Sequence, residues 1–93
     1  MNTMMLMLMV PDQHKEEVEV FLRSKGLGGF TEIPHLAGEG RKEAHLGSRA
    51  FPGTTAVVCS LAMEDQVEEI RDGLLGMCGH DIRVLAWPVR VLE

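Results

Sequence analysis

Met4-Met5-Leu6-Met7-Leu8-Met9-Val10-Pro11 runs directly into Asp12-Gln13-His14-Lys15-Glu16-Glu17-Val18-Glu19-Val20-Phe21-Leu22, and the hydrophobic period changes at the proline. The first half is an unbroken apolar run, the form of a strand covered on both faces, or on one face and a subunit interface. In the second half Val18, Phe21 and Leu22 recur at helical spacing, and His14 and the stem of Lys25 extend the stripe. Asp12 stands where an N-cap would, with Glu16 and Glu17 near the positive end of the helix, and Gly26 supplies a stop. A strand followed by an amphipathic helix is thus the opening unit.

The pattern repeats outward from this unit. Lys25 to Gly29 holds three glycines, a C-cap and a tight turn, and Phe30-Thr31-Glu32-Ile33-Pro34-His35-Leu36 then alternates as a half-buried strand, with Pro34 placing it at an edge or a bulge. Thr54 to Leu61 is β-branched and apolar, a further strand. Met63 to Cys78 returns to helical spacing with Val67, Ile70, Leu74, Met77 and Cys78 on one stripe, despite internal Gly73 and Gly76, and Gly79 closes it. Ile82 to Trp87 reads as a strand, and Val89 to Leu92, after Pro88, as a short C-terminal strand. The order strand, helix, strand, strand, helix, strand predicts an α+β ferredoxin-like βαββαβ sandwich, with both helices on one sheet face. The other face has no helix to cover it, and burial against other subunits is the expected solution.

Ala37 to Gly53 breaks the pattern. It has no period, carries Gly38, Gly40, Gly47, Pro52 and Gly53, and reads as a long loop or extended hairpin arm between the second and third main strands. Loops longer than about 12 to 15 residues in a small domain are usually functional or disordered, so function is expected here.

Composition narrows the classes. With 93 residues, 45% of them hydrophobic, the chain is one domain, residues 1–93. Nine Lys and Arg against 14 Asp and Glu give a net charge of -5, which argues against nonspecific nucleic-acid binding through phosphates. The apolar run at Met4 to Val10 is too short for a membrane span, which needs roughly 18 residues or more, and has neither a basic leader nor a cleavage site, so a cytoplasmic protein without membrane insertion is expected. Cys59 and Cys78 lie in apolar stretches and read as buried free thiols, because two cysteines make no disulfide framework.

Gly29-Phe30-Thr31-Glu32-Ile33, Gly38-Glu39-Gly40-Arg41-Lys42 and Glu64-Asp65-Gln66-Val67-Glu68-Glu69-Ile70 together resemble the PII signalling proteins. Those proteins carry a glycine-aromatic turn into the second strand, a G-x-G-R-[QK] entry to a long T-loop and a D-D-Q-V-E start to the second helix. The resemblance spans nearly the whole chain. It implies a ferredoxin-like subunit in a homotrimer, an adenine nucleotide in the clefts between subunits, and T-loops that contact a target protein. The departures are specific. Where PII proteins have a T-G-x-x-G-D-G-K phosphate loop this chain has Cys78-Gly79-His80-Asp81, its long loop has no tyrosine to be uridylylated, and the residues to Glu93 hold no counterpart of the C-terminal arginine pair. A divergent PII-like protein is implied.

Within the loop, Gly38, Gly40, Arg41, Lys42 and Arg49 are the candidate ligand-binding residues: glycines free the backbone N–H groups, and the guanidinium and ammonium groups suit an anion. Arg41, Lys42 and Arg49 against Glu39 and Glu43 leave the loop one net positive charge on a scaffold of six negative. The same residues also fit an ordinary solvated hairpin. His35 and His45, flanking the loop entry, are the candidate metal ligands, although no two ligand-type residues stand at close zinc-motif spacing. Neither Ser48 nor Cys59-Ser60 lies in a nucleophile motif, so no enzyme is expected. The reading is a regulatory subunit that binds a small anionic ligand, such as a nucleotide, and a protein partner through residues 37–53. The alternative is a metal-binding or metal-tolerance protein on the same trimeric scaffold.

Overall fold

Alternation along the first strand divides its side chains between two environments. In β1 (Thr3–Pro11), Leu6, Leu8 and Val10 are fully buried while Met5, Met7 and Met9 on the opposite face are only half-buried. The computed structural model describes residues 2–27, 29–39, 44–45 and 53–93. After β1 come α1 (Lys15–Ser24), β2 (Phe30–Leu36), a two-stranded arm of β3 (Gly38–Glu39) and β4 (Ala44–His45), then β5 (Thr55–Met63), α2 (Val67–Cys78) and β6 (Arg83–Val89). The main sheet has the order β2-β5-β1-β6 with every neighbouring pair antiparallel, the ferredoxin-like arrangement the sequence predicts.

Both helices lie on the Leu6 side of the sheet. Val18 and Leu22 of α1 and Ile70, Leu74 and Cys78 of α2 close over Leu6, Leu8, Val10, Ala56, Val58 and Ala62. Gly26, with φ of 75°, reverses the chain after α1, and Gly79, with φ of 64°, ends α2, conformations that exact a Cβ penalty from other residues. The two helical glycines differ. A Cβ on Gly73 would run into the Phe21 ring of α1, whereas one on Gly76 would meet nothing within 4 Å. Gly76→Ala is therefore expected to stabilise the fold by up to about 1 kcal/mol through helix propensity. Gly73→Ala is expected to destabilise it by about 1 kcal/mol net, overpacking exceeding the propensity gain. Urea melts of the two variants check both signs.

Several local expectations change. Asp12 does not cap α1: residues Asp12–His14 form a 3-10 turn first, and no side-chain cap bond is made there. The second helix starts later than Met63, because β5 continues to Met63 and a 3-10 turn at Glu64–Gln66 precedes α2. A Gln66 side chain that accepts from the Met63 N–H at 2.9 Å holds that junction. No separate C-terminal strand forms, since Val89 pairs with Thr3 as the last residue of β6 and residues 90–93 belong to no strand. Cys59 lies on the open sheet face opposite Met7 and is half-buried, because β5 alternates and Val58 and Ser60 take the inward positions. Cys78 is buried as expected, and burial together with the Glu17 and Asp81 charges pushes its thiol pKa up.

The uncovered face is strongly apolar. Ile33, Leu61, Met63, Leu85 and Trp87 project from it, each 38% to 54% exposed, around the methionines of β1. No helix among the described residues is long and apolar enough to cross a membrane.

Candidate functional site at the loop root

The long excursion leaves the sheet at the end of β2 and returns just before β5, and both ends meet at one carboxylate. Asp12 Oδ2 accepts the His35 backbone N–H at 3.0 Å and the Thr54 hydroxyl, while the Asp12 N–H donates to the Thr54 carbonyl at 3.0 Å. The local sequence explains the geometry on each side. Pro34 cannot donate to the sheet ladder, the β2–β5 register shifts between Ile33 and Leu36, and His35 takes a φ of +62°. A left-handed conformation is costly for a residue with a Cβ, so the bond from its N–H to Asp12 helps hold the turn. The second oxygen, Asp12 Oδ1, is buried and has no hydrogen-bond partner among the described residues.

The histidine ring is exposed on 77% of its surface, and its Nδ1 is 3.4 Å from Asp12 Oδ2. Beyond it, Gly38 stands directly opposite His45 across the β3–β4 arm. His35 and His45 thus lie on separate elements, and no group of three His, Cys, Asp or Glu side chains suited to a metal occurs among the described residues. Gly40, Arg41, Lys42 and Arg49 lie outside the described residues. At the same end of the sheet, beside the opposite edge strand, Gly79–Asp81 form a 3-10 turn that passes from α2 to β6 with one residue to spare. That short turn takes the place of the phosphate loop the family resemblance would require.

Two contacts were not foreseen from sequence. Glu32 faces the helix layer, since its neighbour across β5 is the buried Val58, and Ile33 is the residue turned to the open face. There Lys15 Nζ lies 3.0 Å from Glu19 Oε2 and 3.9 Å from Glu32 Oε2. Burial raises the Glu32 pKa above its usual value near 4.5, and a hydrogen bond shared with Glu19 adds to the rise. That shared bond and Lys15 lower the Glu19 pKa, and the Glu19 hydrogen bond raises that of Lys15. A raised carboxyl pKa favours the folded state fully below the unfolded value and loses that contribution as pH rises through the folded one. Glu19 behaves in the opposite sense and loses its contribution as pH falls. Glu32→Gln, which cannot ionise, is therefore expected to raise the melting temperature relative to the unaltered chain more at pH 8 than at pH 4. Equal differences at the two values would show that Glu32 does not hold its proton more firmly in the fold.

Solved structures share this architecture. CPII from Thiomonas intermedia, described as a nitrogen regulatory PII-like protein, superposes with a TM-score of 0.78 at 18% identity over 98% of this chain and 96% of that one, in a structure bound to ADP, AMP and bicarbonate. The fold is PII-like. A DUF3240 family protein from Shewanella baltica gives a TM-score of 0.74 at 16% identity over 100% of this chain and 96% of that one. CutA1 from Oryza sativa gives 0.76 at 10% identity over 99% and 84%. No family model matches the sequence, and no curated protein matches it. The PII-like fold places β2, the loop and β5 in the order the short sequence motifs imply, even at identities this low.

Proposed function

We propose that the chain is a non-enzymatic, cytoplasmic PII-like regulatory subunit. It assembles as a homotrimer through the open sheet face, binds a small anionic ligand such as a nucleotide in clefts between subunits, and contacts a protein partner through residues 37–53. The observation that carries this reading is the Asp12 clamp, because one carboxylate holds both ends of the loop, at His35 and Thr54. A ligand that touches the loop root changes the arrangement of the arm only to the extent that it binds two arrangements with different affinity. Arg41 is the proposed anion contact, Gly38 and Gly40 supply backbone N–H groups, and Lys42 and Arg49 add positive charge. The nucleotides and bicarbonate bound to CPII support an anionic ligand of this kind.

The metal-binding alternative has less support, since His35 Nδ1 already faces Asp12 and the described residues provide no third ligand. Calorimetry with ADP, AMP and bicarbonate tests the main reading. ADP is expected to bind at micromolar affinity or weaker, because the short 79–81 turn offers no phosphate cradle, and Arg41→Ala is expected to remove the binding. A submicromolar complex, worth more than about 8 kcal/mol, would mean the site lies elsewhere. Failure of all three to bind would remove the anionic-ligand reading.

A further inference from the structure

Among the described residues, the helix layer carries an open groove. The helices run antiparallel: Lys25 Nζ bonds Glu69 Oε1 at 2.6 Å near one end, and the Phe21 ring lies against Gly73 one step further along. The next step brings Met77 of α2 to the same groove as Glu17 and Val20 of α1. An open groove of about 540 Å³ lies there, lined by Glu16, Glu17, Val20, Phe21, Ser24 and Met77. Val20 is 64% exposed although it is a large apolar residue within a helix. Gly76, next to Met77, is open on its outer side, since among the described residues a Cβ there would meet nothing within 4 Å.

The floor formed by Val20, Phe21 and Met77 is apolar, and Glu16 and Glu17 stand at its edge. His14 Nδ1, 3.4 Å from Glu17 Oε1, is the nearby basic group of α1's approach. We propose that this groove docks a basic amphipathic segment of a partner protein, one large apolar side chain seating between Val20 and Met77, and Lys or Arg residues facing Glu16 and Glu17. Helices lie in grooves of this kind through apolar residues at i, i+3, i+4 and i+7. Charge decides against a two-fold pairing of this groove with itself, because the second copy would bring its own Glu16 and Glu17 to the same edge, and the net charge of -5 favours a basic partner over this chain. The groove is on the helix layer, opposite the apolar sheet face, so the proposal stands apart from the assembly and loop reading.

The probe is a synthetic Leu/Lys peptide with leucine at helical spacing, titrated into the full isotope-labelled chain and followed by amide NMR. Its partner probe carries Glu in place of every Lys. The expected result is that the Leu/Lys peptide shifts amides of residues 16–24 and 73–77, and that the Leu/Glu peptide shifts none. Gly76→Leu sets a large side chain next to Met77 and is expected to weaken binding at least tenfold without loss of the folded amide spectrum. Val20→Ser, an exposed change, checks the floor independently and should weaken binding as well. Joint replacement by Glu16→Gln and Glu17→Gln should weaken it and flatten its salt dependence. Absence of binding, equal binding of the two peptides, shifts centred on the sheet face around Met7, or affinity unchanged in both Gly76→Leu and Val20→Ser would overturn the proposal.

Discussion

A Met7→Glu chain is expected to sediment at the 10.3 kDa of one subunit, and the unaltered chain, if it forms the proposed trimer, at three times that mass. Met7 lies at the middle of the open sheet face, between Cys59 of β5 and Leu85 of β6. Its side chain points away from Leu6 and Leu8, so a carboxylate there leaves the helix-covered core as it is. In an assembly that covers this face the carboxylate would be buried without a partner, at a cost of several kcal/mol per subunit. Repeated in every subunit, that exceeds what an interface of ordinary size can absorb. A Met7→Leu control, similar in volume, should keep the trimer. If the unaltered chain is a monomer at micromolar concentration, or if Met7→Glu remains assembled, the sheet face is not the interface and a ligand site between subunits fails with it.

Replacing Asp12 by Ala is expected to destabilise the fold by about 2 to 3 kcal/mol, read by urea unfolding, and to speed amide exchange selectively at residues 35 and 36. The substitution removes the acceptor for the Thr54 hydroxyl and the His35 N–H together. Hydrogen bonds to a charged group each contribute about 1.5 to 3 kcal/mol, and loss of Asp12 Oδ1, which has no partner among the described residues, from the interior offsets part of the total. His35→Gly makes the contrast. Glycine accepts a φ of +62° without strain and keeps the N–H that Asp12 holds, so loop-root exchange should stay close to that of the unaltered chain. If Asp12→Ala unfolds no more easily than the unaltered chain and its amides exchange alike, the carboxylate does not hold the loop.

The order of elements was legible because each boundary has a local chemical cause. Pro11 ends the first strand, Gly26 and Gly79 end the helices, and the spacing of Val18, Phe21 and Leu22 and of Ile70, Leu74 and Cys78 fixes their inner faces. Pro34 correctly marked the second strand as an irregular edge. Asp12 was not legible as a clamp, because an acidic residue between a proline and an amphipathic run has the local form of an N-cap, while its partners lie 23 and 42 residues away. Glu32 was missed for a related reason: a strand that alternates fixes two faces but not which one meets the helices, and the register against Val58 decides it. Of the candidate residues at the loop and its root, His35 is seen as the left-handed turn in β2 beside Asp12, and Gly38 and His45 as opposed positions on the arm.

The clamp also bears on how such a protein can diversify. With His35 and Thr54 tied to the same side chain, the intervening chain starts and finishes at one point, and the sheet does not register how long the excursion is. Closing a loop costs only about 0.6 kcal/mol more for each doubling of its length. Insertions, deletions and wholesale exchange of the residues between those two anchors are thus nearly neutral for folding. Selection can rewrite the arm while Asp12, Pro34 and Thr54 go on fixing where it is mounted, so the proposed partner specificity and the stability of this chain are free to evolve on separate stretches of its sequence.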